Sequence, residues 1–342
     1  MSALLTIAIP TFNRAEQLGQ LLDSLFSQMD AFRDEIRILV VDNHSTDDTA
    51  LRCGAWKQKG KPFEYICNAT NIGMAHNIIK CFELTETPYC WVFGDDDMVR
   101  IGALGLILSH LIEQRPDILY CGYTAFKDSP SEKLASYAGP LSLWAMKAED
   151  FCRVVQINMT FISAVITSKQ AFLANGGASL IRQHANTLLP QLAWVFECMT
   201  NGCKFSYSRQ PLVLARLEGS GGFNIFKTFT TDLVQIIDRA LPSHLGAPLK
   251  RRTLIKFIPA LICTVRQGQR GNFEVPTQCE SDFRAAFGQH WTYWLVVEPI
   301  LRLPIPFTKP FFYVSRLIAN YLSVYDRALY FCNRLSSAKH RA

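Results

Sequence analysis

Four short apolar runs alternate with helical patterns over the first hundred residues, and this alternation limits the fold more than any other feature. The runs are Leu4–Pro10 (LLTIAIP), Ile36–Val41 (IRILVV), Phe63–Cys67 and Tyr89–Phe93. Their β-branched, nearly unbroken apolar character suits strands buried on both faces. Between them, Leu18, Leu21, Leu22, Leu25 and Phe26 recur at three- and four-residue spacing, and a second helix is expected over 74–84. Strand and helix repeating in this way form right-handed βαβ units and a mainly parallel sheet flanked by helices. All four strands then finish on one edge, where open α/β sheets bind ligands. That edge collects Thr11, Asn13 and Arg14, then Asp42 and Asn43, then Asn71 and Gly73, and finally Asp95, Asp96 and Asp97.

The last of these groups stands in WVFGDDDMVR, where a strand runs straight into three adjacent carboxylates. Like charges this close raise one another's pKa and destabilise a fold unless a cation or strong donors offset them. An acidic run is often only a solvated loop. Its place at a strand end points instead to a divalent cation holding a diphosphate, Mg2+ or Mn2+ by the preference of hard ions for oxygen ligands.

Further along, Ser45 and Asp48 have the spacing of a capping box, and Asn71 and Gly73 suit positive φ. A helix is expected over 101–114, and strands over 118–122, 161–167, 204–208 and 212–217. Lys127–Pro140 reads as a loop, Ser168 as a helix cap, and Glu149-Asp150 as acidic charge at a helix start. The stretch 175–186 reads as mobile and carries Arg182 and His184, and a helix over 188–199 carries Glu197. The glycine-rich Glu218–Asn224 segment is either a linker or a loop that closes on phosphate through its backbone N–H groups.

From Phe226 the chain is helical and basic. Residues 1–240 hold 21 Lys and Arg against 24 Asp and Glu, whereas 241–342 hold 14 against 5. In the last helix, expected over 311–335, Val314, Leu317, Ile318, Tyr321, Tyr325, Ala328, Leu329 and Cys332 share one face. Arg316, Asn320, Ser323, Arg327 and Arg334 share the other. With Trp291 and Trp294 this suggests peripheral contact with an anionic membrane through 291–342, the alternative being a helix docked on its own domain. Charged residues and prolines interrupt every candidate span, so no bilayer crossing is expected. Eleven cysteines without CxxC spacing, and a start without a cleavable leader, suggest reduced thiols in a cytoplasmic protein, with peripheral placement on the inner face of the membrane by its basic tail as a further expectation. Nothing matches a nucleic-acid-binding signature, so no nucleic-acid partner is expected.

A nucleoside diphosphate-sugar would use every part of the cleft. Asp42 can accept from a base N–H, and Asn71 or Asn77 can bond base or ribose. One carboxylate of the triplet can take ribose hydroxyls while another reaches the metal.

Here the chain resembles glycosyltransferase family 2, with its GT-A (Rossmann-like) fold. The matching pieces are IAIPTFNR at 7–14, VVDNHSTDDT at 40–49, NIGMAHN at 71–77 and FGDDD at 93–97. The form WVFGDDD is most similar to the abequosyltransferase-like branch, which builds bacterial surface polysaccharides. The resemblance implies donor contacts from Pro10, Thr11, Asn13, Arg14, Asp42, Asn43, Asn71, Gly73, Asn77, Asp95 and Asp96. Asp42 would meet the nucleobase, Asp96 the ribose or sugar, and Asp97 the metal, with Asp95 orienting that pair. It further implies transfer, with inversion, to a glycan or polyprenyl-linked glycan acceptor.

The family's Glu-Asp base is not found in the acceptor half, and the polar residue expected after the proline of LLPQL is Gln191, which cannot take a proton. His184, Glu197 and Glu218 remain as candidate general bases. The expected domains are a nucleotide-sugar-binding half over 1–125, an acceptor-binding half over 126–225, and a helical extension over 226–342. A non-catalytic sugar-nucleotide-binding or scaffold protein is the competing reading. A sugar-nucleotide pyrophosphorylase fits less well, because PTFNR lacks the glycines of a triphosphate-binding loop.

Overall fold

The computed structural model describes residues 3–127, 143–217, 224–268 and 279–339. It divides into two compact units, one of 1–147 with 158–219 and the other of 148–157 with 220–342.

The first unit opens with β1 (Leu5–Thr11), α1 (Ala15–Met29), β2 (Ile36–Asp42), α2 (Thr49–Gln58), β3 (Glu64–Cys67), α3 (Met74–Leu84) and β4 (Tyr89–Val92). These strands lie in the order β3-β2-β1-β4, all parallel. Leu5, Ile7 and Ile9 of β1 pack with Leu18, Leu21, Leu22 and Leu25 of α1, all within 2% of complete burial. Two apolar periodicities thus meet in one core, and the chain leaves every strand on the same edge.

The sheet continues through β5 (Met98–Val99), α4 (Ala103–Gln114), β6 (Ile118–Phe126) and β7 (Leu143–Met146), and later β8 (Val165–Ser168) and β9 (Phe205–Arg216). Among the described residues it has nine strands, in the order β3-β2-β1-β4-β8-β6-β9-β5, with β7 beside β9. The parallel character expected from the sequence holds for the first four strands and for β6 with β9. β8 runs antiparallel between β4 and β6, and β5 and β7 run antiparallel to β9, so the whole sheet is mixed. The stretch expected as a strand from Phe161 is a tight helical turn at Ile162–Ala164, and pairing begins only at Val165. The two runs at 204–208 and 212–217 form the single strand β9, with an irregularity opposite Gly122.

α5 (Ala148–Val155) belongs to the second unit; it starts with Glu149 and Asp150 in its first turn. Between β8 and β9 come α6 (Lys169–Ala174), capped by Ser168 as expected, and α7 (Leu192–Asn201). The elements described in the rest of the second unit are helical. α8 (Ile225–Lys227) passes through a π turn at Thr228–Asp232 into α9 (Leu233–Ala240), and α10 (Ser243–Arg252) through one at Thr253–Phe257 into α11 (Ile258–Arg266). α12 (Glu280–Phe287) is followed by a third π turn at Tyr293–Val297, α13 (Glu298–Arg302) and α14 (Ile305–Lys339). The Thr228, Thr230 and Thr253 hydroxyls donate to carbonyls four residues back, which satisfies buried groups where the helices widen. Leu254, Ile258, Ile262, Phe283, Phe287 and Tyr293 form this unit's own core.

Candidate functional site

The C-terminal ends of β1 to β4 bring the expected loops together. Asn43 donates to Asn71 Oδ1 at 2.8 Å, and its own Oδ1 accepts from Asn68 Nδ2 at 3.0 Å and from the Ile72 N–H at 2.9 Å. Asn68 also donates to Asn77 Oδ1 at 2.9 Å and accepts from Lys80 Nζ at 2.6 Å, while Asn77 donates to the Val41 carbonyl. Four amides on two strand ends and α3 thereby fix one another, and buried polar groups are satisfied by side chains far apart in sequence. Gly73 has φ 86°, as expected. Asn71 does not need the left-handed region; its side-chain Oδ1 accepts from the Gly73 N–H instead, and in the loops after β1 and β2 positive φ falls at Asn13 and His44.

Asp42 is completely buried at the end of β2. Its Oδ1 accepts from the Ser45 N–H at 2.9 Å and the Ser45 hydroxyl at 2.6 Å, and its Oδ2 from the Tyr65 hydroxyl at 2.5 Å. Ser45 is therefore not the partner of Asp48 in a capping box. α2 begins at Thr49 with Asp48 as its cap residue but without a side-chain cap bond, while Asp47 accepts from the Thr49 N–H and hydroxyl. The Ser45 hydroxyl donates to Asp42, and its acceptor lone pair is engaged by the Asn13 N–H instead of a helix N–H. Asn13 ties the first loop to the second, donating from its N–H to Ser45 Oγ and accepting from the Thr46 N–H. Pro10 and Thr11 complete β1.

The acidic triplet follows β4. The Thr11 hydroxyl donates to Asp95 at 2.7 Å, and Arg14 Nη1 lies 2.5 Å from Asp96 Oδ2 and 3.4 Å from Asp95 Oδ1. Asp97 Oδ2 accepts from the Ser163 hydroxyl at 2.6 Å and its Oδ1 from the Arg216 N–H at 3.0 Å. The Arg216 guanidinium donates to the Asp96 carbonyl and to Gln20, and stacks over Phe126 at 4.6 Å. Gly94 leaves room for this turn: a Cβ there would stand 3.0 Å from Asp97 Oδ2 and 3.1 Å from Ser163 Oγ.

These donors offset the crowding only in part. Burial, with the neighbouring Asp96 charge adding to it, pushes both Asp95 and Asp97 up to about 7. Asp96 is the more open of the three. Among the described residues no group of three His, Cys, Asp or Glu side chains forms a metal cage. Adjacent carboxylates that hold protons near neutrality are nonetheless short of positive charge. That donor set fits a divalent ion bound by one or two protein carboxylates together with substrate phosphates.

Ser163 and Arg216 were not among the residues expected from the sequence. Ser163 lies in the turn before β8, where its carbonyl also accepts from Trp91 Nε1 and its hydroxyl from the Gly94 N–H. Arg216 ends β9.

The base candidates are placed differently. α7 ends at Asn201 beside the start of β9, and Asn201 donates to Glu197 at 2.6 Å. The Asp117 carboxylate at the start of β6 accepts from the Cys203 and Lys204 N–H groups there. Glu197 therefore belongs to the edge where strands begin, opposite the triplet. His184 is buried rather than part of a mobile surface stretch; its carbonyl accepts from Thr187, and nearby Arg182 pairs with Glu83. Gln191 anchors the start of α7 by donating to the Thr160 carbonyl at 2.7 Å. Glu218, the glycine-rich segment up to Phe223 and most of 127–140 lie outside the described residues.

Comparisons with known proteins agree with this architecture. The model for glycosyl transferase family 2 matches residues 6–185. Abequosyltransferase RfbV of Salmonella typhimurium is 26% identical over 231 residues, 62% of this chain and 66% of that protein. An uncharacterized glycosyltransferase of Mycoplasma pneumoniae, the MG025 homolog, is 30% identical over 108 residues, 31% of this chain and 36% of that protein. Among solved structures, S. aureus TarS 1–349 in complex with UDP-GlcNAc superposes with a TM-score of 0.58 at 15% identity, covering 92% of both chains. The mannosyltransferase PcManGT from Pyrobaculum calidifontis, in complex with GDP-Man and Mn2+, gives 0.54 at 14% identity, covering 95% of this chain and 88% of that one. The structural likenesses show a shared GT-A fold, and the family match covers the four strands, their loops and the acidic turn. This chain belongs to glycosyl transferase family 2.

Proposed function

We propose that the protein transfers a sugar from a nucleoside diphosphate-sugar to a glycan or polyprenyl-linked glycan in bacterial surface-polysaccharide synthesis, with inversion at the anomeric carbon. The observation that carries this reading is the acidic turn: two buried carboxylates beside a more open one, on the edge where three other polar loops finish. In this reading Asp97, with Asp96 beside it, holds Mg2+ or Mn2+. The bound ion would stabilise the charge of the departing diphosphate.

The chain's own residues do the rest. Asp42 holds the Ser45 and Tyr65 hydroxyls in place and keeps one lone pair of Oδ2 for a base N–H. The linked amides of Asn43, Asn71 and Asn77 hold the loop that would take base and ribose, with Gly73 giving its turn. Pro10, Thr11 and Asn13 shape the first loop. Arg14 and Thr11 orient Asp95 and Asp96, and Asp96 is open to ribose or sugar hydroxyls. Of the candidate bases, Glu197 stands at the opposite edge, and His184 lies two residues from Arg182, which pairs with Glu83 near the end of α3 at that same edge, so neither is assigned the acceptor proton. Contact with an anionic membrane through 291–342, at the cytoplasmic face, would bring a lipid-linked acceptor within reach.

Transfer or donor hydrolysis measured with manganese present tests the reading. Asp97→Asn is expected to abolish turnover with the fold intact. Full turnover in that variant would overturn it, and donor binding by the native protein without turnover on any acceptor would favour the non-catalytic alternative.

A further inference from the structure

α14 packs on its own unit through one side and leaves an apolar stripe on another. Ser315 is 2% exposed and donates to the Ile255 carbonyl at 2.5 Å, Thr308 is buried, and Phe311 and Phe312 pack against the helical core. Phe307, Val314, Leu317, Tyr321 and Val324, separated by seven, three, four and three residues, face outward, with Leu317 69% and Tyr321 71% exposed. The apolar residues that the sequence groups on one face are thus not the face that docks. Exposed Lys309 and Arg316 run along the flank of this stripe, with Arg316 over the Phe312 ring at 5.5 Å. Among the described residues no helix is long and apolar enough to cross a membrane. Of the sequence-predicted faces, Ser323 and the positions beyond Tyr325 have side chains outside the described residues.

We infer that the Phe307–Val324 stripe is a lipid-inserting edge that lies along the surface of an anionic membrane. An apolar stripe confined to one side of a helix, carrying aromatic residues and bordered by basic side chains, has the form of a helix in an interface plane. Charge selects lipid over a second copy of the chain. Residues 241–342 hold 14 Lys and Arg against 5 Asp and Glu, so two copies would repel where an anionic surface attracts. The aromatic members suit the headgroup level, where Tyr and Trp gather. The inference rests on the membrane contact proposed above and sharpens it, since it makes apolar insertion, and not charge alone, the source of retention.

Vesicle co-sedimentation of the full chain tests it, with phosphatidylglycerol-rich and pure phosphatidylcholine vesicles at low and high salt. Wild type is expected to bind the phosphatidylglycerol-rich vesicles and to keep part of that binding as salt screens the charges. Leu317→Glu and Asn320→Glu change the charge equally, but only the first lies in the stripe. Leu317→Glu is expected to weaken binding at least about tenfold more than Asn320→Glu, with unchanged melting temperature.

Equal losses in the two variants would overturn insertion while leaving membrane contact standing. No binding of wild type to either vesicle would overturn both. A stripe-dependent dimer in sedimentation analysis, broken by Leu317→Glu without loss of vesicle binding, would assign the stripe to a second copy and overturn the inference.

Discussion

The two ends of the sheet in the first unit are built on opposite electrostatic rules. Where the strands begin, polar groups meet complementary partners. Lys169 Nζ donates to the Phe82, Glu83 and Thr85 carbonyls at the end of α3, Asp117 accepts two backbone N–H groups, and the Thr6 and Thr87 hydroxyls join at 2.8 Å. Where the strands finish, three carboxylates share one turn and two of them are driven to hold protons. The first arrangement stabilises the fold. The second costs stability, and it is the pattern expected where a cation and an anionic ligand complete the charge balance.

The sharpest way to break this contrast is to neutralise one group at each end. At the finishing end, Asp97→Asn should lower transfer by on the order of 10³-fold or more, because the charge that would fix the metal is lost. Unfolding of the unliganded variant near neutral pH should be no easier than that of wild type, since one buried like charge is gone. At the beginning end, Lys169→Met should do the reverse. It leaves three carbonyls without their charged donor and should destabilise the fold by about 2 kcal/mol in denaturant titration, with turnover per folded molecule unchanged. If both variants lose activity and stability together, the contrast fails.

Gly94→Ala is a smaller perturbation. Its Cβ would press on Asp97 Oδ2 and Ser163 Oγ, so donor affinity should fall while the melting temperature changes little. The smallest expected effect is on pH dependence. The carboxyls of Asp95 and Asp97 stand near 7 when folded, against 3.8 for the ordinary group. Their contribution to stability is complete below about 3.8 and is lost as pH rises through about 7. The slope of unliganded stability between those limits should therefore be shallower in Asp97→Asn, which calorimetric melting at several pH values can measure.

The finishing end was the more legible of the two in the sequence. IAIP, ILVV and WVFG declare buried strands by composition, and the helices between them force parallel order, so the loops around Asn13, Asp42 and Asn71 and the triplet could be placed on one edge before any contact was known. Ser163 and Arg216 could not. Each reaches Asp97 across more than sixty residues, Ser163 from the turn before β8 and Arg216 from the end of β9, and nothing in FISAVIT or LVLARL distinguishes a residue that faces a carboxylate from one that only packs. The Ser45–Asp48 spacing misled for a related reason: local pattern cannot show that the Asn13 N–H, thirty-two residues away, donates to the Ser45 hydroxyl while that hydroxyl donates to Asp42. In the second unit the period of α14 was visible, but which side docks was decided by Ser315 and Thr308, two small polar residues that periodicity counts as surface.

The central claim is that the acidic end of the sheet binds a nucleoside diphosphate-sugar through a divalent ion. Thermal shift with a panel of nucleotide-sugars, with and without manganese, on wild type and Asp97→Asn tests it most directly, because a ligand of the native state raises the melting temperature by mass action. At least one donor should stabilise wild type in the presence of manganese and have little effect without it, and Asp97→Asn should abolish that difference. A manganese-dependent shift that is equal in both proteins would contradict the account.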